Sequence, residues 1–237
     1  MSITRLSKHA SAGAFVLAAT LGMGTAFIVP AQSAVVAAAP TATTTTVTLA
    51  STTVSFGEAS KVTVSVDTAT NGGPKPAGKV ELRVGDTILV ADLDNSGKVA
   101  FDLPVVGASS TPYAVTATFT PTDATAFTLS TAPPVAVTVN KDATTSTVTA
   151  RHNKTNRKVV AKNAVTSAHG QVPTGKVKFV LRRNGLRIAA SLVSLNDAGV
   201  AKATFREVRN SGAYKVIGKY RGSANFLASK GSFKIIS

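Results

Sequence analysis

Pro76-Ala77-Gly78-Lys79-Val80-Glu81-Leu82 returns later in the chain as Pro173-Thr174-Gly175-Lys176-Val177-Lys178-Phe179. A second string, Tyr113-Ala114-Val115-Thr116-Ala117-Thr118-Phe119, returns as Tyr214-Lys215-Val216-Ile217-Gly218-Lys219-Tyr220. Each copy then closes on an aromatic and a serine, Phe127 with Ser130 and Phe226 with Ser229. Matched residues lie 97, 101 and 99 positions apart. A unit of about one hundred residues is the size of one β-sandwich and too long for a solenoid repeat.

Within each copy apolar and polar residues alternate between clusters of Gly, Pro, Asn and Asp, the period-two signal of half-buried strands. This predicts strands near 43–50, 60–67, 78–84, 87–92, 97–103, 112–120 and 134–140 in the first copy. In the second it predicts them near 144–150, 157–166, 175–182, 186–194, 199–206, 212–221 and 231–236. Seven short strands per copy imply an all-β fold of two tandem antiparallel sandwiches, one over 41–140 and one over 143–237. Asn140-Lys141-Asp142-Ala143 reads as a short polar joint permitting limited tilting.

Residues 1–39 read as a cleaved signal peptide: Arg5 and Lys8 lead an uncharged run from Ala10 to Val29, and small residues follow Pro30. The rival reading is an uncleaved membrane anchor, since the run is nearly long enough to span a bilayer. No further apolar span is expected in the mature chain. Cysteine is absent, which excludes a disulfide framework and suggests a bacterial exported protein whose cores suffice alone.

Pro-x-Gly-x-Val, a mid-repeat Gly, then Tyr-x-Val with a later Phe and Ser resemble bacterial immunoglobulin-like repeat domains. The second copy carries the fuller pattern, Pro173-Thr174-Gly175, Gly199, Tyr214 and Tyr220-Arg221-Gly222-Ser223-Ala224-Asn225-Phe226. The first departs from it with Phe119 for the tyrosine and Pro121-Thr122-Asp123 for the Gly-Ser turn. The resemblance implies two immunoglobulin-like sandwiches in a secreted or surface protein serving as spacer, adhesion module or enzyme accessory. It implies no single ligand.

Catalytic chemistry finds little footing. His152 and His169 sit in expected loops with no motif around them, and the second copy has only Asp142, Asp197 and Glu207 as acids. No nucleophile elbow, phosphate loop or zinc spacing occurs, so the expectation is no enzyme and no cofactor. Asp92-Leu93-Asp94-Asn95-Ser96-Gly97 resembles the start of a calcium loop, with Asp92 and Asp94 as weak metal candidates. Leu103 stands where the closing glutamate is needed, so the string also reads as a plain hairpin turn.

Charge distinguishes the copies. Residues 141–237 hold 19 Lys or Arg against 3 acids, a net of +16, whereas 35–140 hold 5 against 8, a net of −3. Alternation sends Lys176, Lys178, Arg182, Lys215, Lys219, Arg221 and Lys234 outward, with Phe233 and Ile235 inward. In an immunoglobulin-like topology their strands are neighbours, so these cations share one face. Like charges on adjacent strands repel unless an anion occupies them. The expected partner is an anionic cell-wall or surface polymer. The face lacks aromatics to stack bases, which argues against specific nucleic-acid recognition. A solubilising surface on a purely structural spacer is the alternative, as is an adhesin or enzyme accessory contacting a protein.

Overall fold

The computed structural model describes residues 38–69 and 73–235. The expected signal segment therefore lies outside the described residues, save for positions 38 and 39. Every regular element among the described residues is a strand.

The first copy contributes β1 (Thr43–Leu49), β2 (Thr53–Ser55), β3 (Lys61–Thr68), β4 (Gly78–Val84), β5 (Thr87–Asp92), β6 (Lys98–Asp102), β7 (Tyr113–Pro121), β8 (Ser130–Thr131) and β9 (Val135–Asn140). Strands β1-β3-β6 form one sheet, and β2-β9-β7-β4-β5 the other, with β8 beside β7. The second copy contributes β10 (Thr144–Asn153), β11 (Lys158–Ser167), β12 (Lys176–Arg183), β13 (Leu186–Ser194), β14 (Val200–Phe205), β15 (Tyr214–Tyr220) and β16 (Ser229–Ile235). Its sheets run β10-β11-β14 and β13-β12-β15-β16.

The all-β sandwich expected from alternation is the fold observed. All fourteen expected strands form, with ends moved by at most about three residues, within the usual fraying of strand ends. Two more, β2 and β8, are three and two residues long, too short to show a period. Strand β2 adds a short parallel pairing to these antiparallel sheets, with Thr53, Val54 and Ser55 opposite Thr138, Val139 and Asn140 of β9.

Each pair of sheets closes on its own apolar core. Val62, Val64, Val80, Leu82, Val115 and Phe119 anchor the first, and Val159, Val177, Phe179, Leu181, Tyr214 and Tyr220 the second. The repeated motifs now have physical roles. Gly78 occurs where a Cβ would lie 2.3 Å from the Thr120 carbonyl oxygen and 2.7 Å from the Phe119 ring. Only glycine lets the two strands approach there. The closing aromatics Phe127 and Phe226 make parallel bridges to Thr41 and Asp142. The serines that follow latch the first strand of each copy: Ser130 Oγ takes the Thr43 hydroxyl proton at 2.8 Å, and Ser229 Oγ that of Thr144 at 2.9 Å. Both motif tyrosines hook backward, Tyr113 Oη donating to Gly107 O at 2.9 Å and Tyr214 Oη to Arg209 O at 2.8 Å.

The two cores differ at one cross-sheet contact. Val64, Ala117 and Ala132 of the first are replaced, by register, with Asn163, Gly218 and Gly231. Asn163 is fully buried and its amide nitrogen donates to Ser146 Oγ at 3.3 Å. The two glycines free the volume that its side chain and β10 occupy.

The joint is less open than its composition suggests. Asp142 is fully buried rather than a solvated linker residue. Phe56 packs against both cores and meets Phe226 edge-on at 5.4 Å, and Asn225 Oδ1 accepts from Ala108 N at 3.0 Å. The apolar ring and this hydrogen bond restrict the tilting that a polar joint would allow.

Candidate anion-binding face

Register turns the alternating cations into rows. On the outer face of β13-β12-β15-β16, Lys178 stands opposite Lys219, which stands opposite Lys230. Four residues along, Arg182 stands opposite Lys215, and Lys215 opposite Lys234. Neighbouring cations in a row are separated by about one inter-strand spacing, ~4.8 Å, and the rows by roughly 13 Å. Between the rows lie Val180 and Ile217, also paired. They point outward yet keep only 7% and 9% of their surface. The long aliphatic stems of the flanking cations can supply that cover while their charged heads stay in water.

Of the seven residues expected on this face, Lys178, Lys219, Arg182, Lys215 and Lys234 form the rows. Lys176 lies at the near end of β12 opposite Ser194, and Arg221 just beyond β15, its backbone N–H donating to Lys176 O at 3.1 Å. Alternation missed Lys230 because the last strand begins at Ser229, earlier than its composition suggests. It also missed Arg187, which a β-bulge after Leu181 brings opposite Arg182. Phe233 is a correction: it is 38% exposed, because β16 is an edge strand and the opposing sheet does not cover it fully.

On the equivalent face of the first copy the charges are balanced, with Lys79 paired to Asp92 and Arg83 to Glu81. Glu81, Thr118 and Thr131 occupy the row equivalent to Lys178, Lys219 and Lys230. Ala114 and Ala136 occupy the positions of Lys215 and Lys234. Among the described residues, Lys–carboxylate and Arg–carboxylate pairs occur only in the first copy: Lys61–Asp102, Lys75–Asp67, Lys79–Asp92 and Arg83–Glu81. Lys162 and Lys202 also face each other, on the opposite sheet of the second copy. They are a pair and not a row.

The other singled-out residues have structural partners. Asp92 meets Lys79 at 3.0 Å. Asp94 Oδ1 accepts from Ser96 Oγ, Ser96 N and Lys98 N at 2.7, 2.8 and 3.0 Å, and these bonds hold its carboxyl below the usual range. This is the geometry of a hairpin turn. His152 belongs to β10 and not to a loop, with its ring 5.4 Å from Tyr214 in an edge contact. His169 is not simply solvated: its backbone N–H and ring Nδ1 reach Asp142 at 3.1 and 2.8 Å. Burial pushes the Asp142 carboxyl up, but these bonds, the imidazole charge and the Ala143 N–H together hold it below the ordinary carboxylate value.

No protein-family profile matches the chain, and no curated protein does. Among solved structures 797 chains match. One belongs to a 1.5-MDa bacterial ice-binding adhesin studied for host cell surface retention, 10% identical over 82% of this chain and 64% of that one, with a TM-score of 0.31. Another is a tetra-tandem repeat in the extending region of a large adhesion protein, 14% identical over 83% of this chain and 50% of that one, TM-score 0.42. A third is red sea bream transglutaminase, 13% identical over 81% and 31%, TM-score 0.32. The chain thus spans less than two thirds of each of these structures.

Proposed function

We propose that the chain is a non-enzymatic, exported bacterial protein of immunoglobulin-like sandwiches whose second copy holds an anionic cell-surface polymer. The observation carrying this reading is the pair of register-aligned cation rows, with no carboxylate partner among the described residues, at positions that are Glu, Thr, Gly or Ala in the first copy. Adjacent like charges destabilise a sheet, and a polyanion lying across the rows removes that cost. The backward-hooked tyrosines support the immunoglobulin-like assignment, since a tyrosine tied to upstream backbone is a hallmark of that sandwich.

A bound polyelectrolyte releases condensed counterions, so affinity falls steeply with salt. Sedimentation with purified cell walls at low and high salt measures this. Lys215→Glu with Lys219→Glu places two negative charges in the two rows and should lower affinity by about two orders of magnitude or more. Lys162→Glu with Lys202→Glu changes net charge equally on the opposite sheet, and should lower it far less. Equal losses from the two pairs would reduce the face to generic surface charge. A spacer role draws on a different observation, the Phe56–Phe226 contact that restrains the joint, and it predicts wall association indifferent to salt and to both reversals.

A further inference from the structure

One end of the cationic sheet is concave. A cavity of about 570 Å³ opens beside the β12–β13 hairpin, with Arg182, Lys215 and Lys234 around it and Gly185, Gly212 and Ala213 lining it. The three cations are one register row, so they come from three adjacent strands. At Gly185 a Cβ would meet nothing within 4 Å, so that side of the opening is clear, whereas at Gly212 it would lie 2.6 Å from Arg183 Nε, so glycine leaves room for that side chain.

The frame is tied. Asn184 N donates to Ala213 O at 2.9 Å, and Ala213 N donates back to Asn184 Oδ1 at 3.1 Å. Arg183 Nε donates to Ser211 O at 2.8 Å, joining the same two loops a second time. Arg182 Nη1 donates to Gly185 O at 2.9 Å. That bond tethers the guanidinium beside the opening while using one of its five donors. The first copy has Ala114 and Ala136 at the two lysine positions, so the cluster is specific to the second copy and not a requirement of the fold.

We propose that this concavity binds a dianionic phosphate group, inorganic phosphate or a phosphomonoester presented end-on. This rests on reading the face as anion-binding and narrows it to one row. Three cations in one row at the opening can each meet one oxygen of a group with three free oxygens and a charge near −2. A carboxylate offers two oxygens and one charge. A phosphodiester within a polymer offers one charge and is blocked on both sides by its esters, so it fits the open rows and not the concavity.

Calorimetric titration of the full mature chain, at about 150 mM salt to suppress delocalised attraction, separates these cases. Inorganic phosphate and glycerol 3-phosphate should bind and displace each other, while glycerophosphoglycerol, the diester, should compete poorly. Lys215→Ala with Lys234→Ala should weaken phosphate binding by at least about tenfold, since two charge-assisted contacts are lost. Lys178→Ala with Lys219→Ala should leave phosphate binding within about twofold while reducing wall association. Tighter binding of glycerol 3-phosphate than of inorganic phosphate identifies an esterified terminus as the source, and vesicles of phosphatidylcholine with phosphatidic acid test a lipid one. The proposal is overturned by equal competition from diester and monoester, by equal losses in the two variant pairs, or by no phosphate binding at millimolar concentration. An unaltered chain that binds phosphate but shows no salt-sensitive wall association would instead refute the polymer reading and leave this site standing.

Discussion

Gly231→Ala should destabilise the second sandwich by about 3 kcal/mol, the upper part of the range for overpacked cores. The added methyl would lie 2.3 Å from the Ser146 carbonyl oxygen, 3.0 Å from Val148 Cγ2 and 3.1 Å from the Ser146 carbonyl carbon. Two of these are backbone atoms, so no rotamer change relieves the clash; β10 and β16 must part. The backbone at Gly231 is ordinary, with no positive φ, so the effect isolates contact from conformational strain. Gly170→Ala is the complementary control, with φ of +76° and nothing within 4 Å of the new carbon. It should cost only about 1–2 kcal/mol, from strain alone. Urea unfolding of both variants measures the difference. A Gly231→Ala protein as stable as the Gly170→Ala one would mean that β10 and β16 do not approach this closely.

Asp142→Asn should cost about 2–3 kcal/mol near neutral pH, with a distinctive pH profile. The carboxylate is fully buried and takes both the backbone and ring protons of His169. An amide keeps the shape but offers one acceptor atom for two donors and carries no charge. The His169 ring is partly open to water, which keeps the loss below that of a wholly buried ion pair. Since the folded carboxyl titrates below its unfolded value of about 3.9, its contribution is complete above that pH and fades as pH falls through the lower folded value. The stability gap between wild type and variant should therefore be full at pH 7 and shrink below about pH 4. A gap that stays constant to pH 2 would show that the charge of Asp142 contributes nothing.

Much of this was legible in the chain itself, because period-two alternation reports which side of a strand faces water. Val177, Phe179 and Leu181 against Lys176, Lys178 and Arg182 is such a case, and all six lie as the pattern requires. The rows were legible only in part. Alternation says that Lys178 and Lys219 point outward, but a row needs the register between strands, which backbone hydrogen bonds and bulges set. Arg187 joined the face through a bulge that no residue type announces. The exchange of Val64, Ala117 and Ala132 for Asn163, Gly218 and Gly231 was hidden for a related reason. Its members lie on strands far apart in sequence, and only the sandwich brings them into one contact. The pairing of His169 with Asp142 was not legible because Asp142 sits in a stretch whose composition reads as linker.

The short parallel pairing of β2 with β9 bears on how the molecule carries load. When a chain is pulled from its two ends, parallel strands near those ends slide past each other, and their hydrogen bonds must rupture together. In the first copy Thr53, Val54 and Ser55 are clasped to Thr138, Val139 and Asn140 in that way. Among the described residues the second copy shows no such strand; β10 runs on unbroken for ten residues beside β11, and the parallel contact seen there is the bridge from Asp142 to Phe226. Under tension the second copy should yield first, and the order of the two rupture events in a single-molecule pull would reveal it. The module richest in cations would then be the one that lengthens, while its mildly acidic neighbour holds.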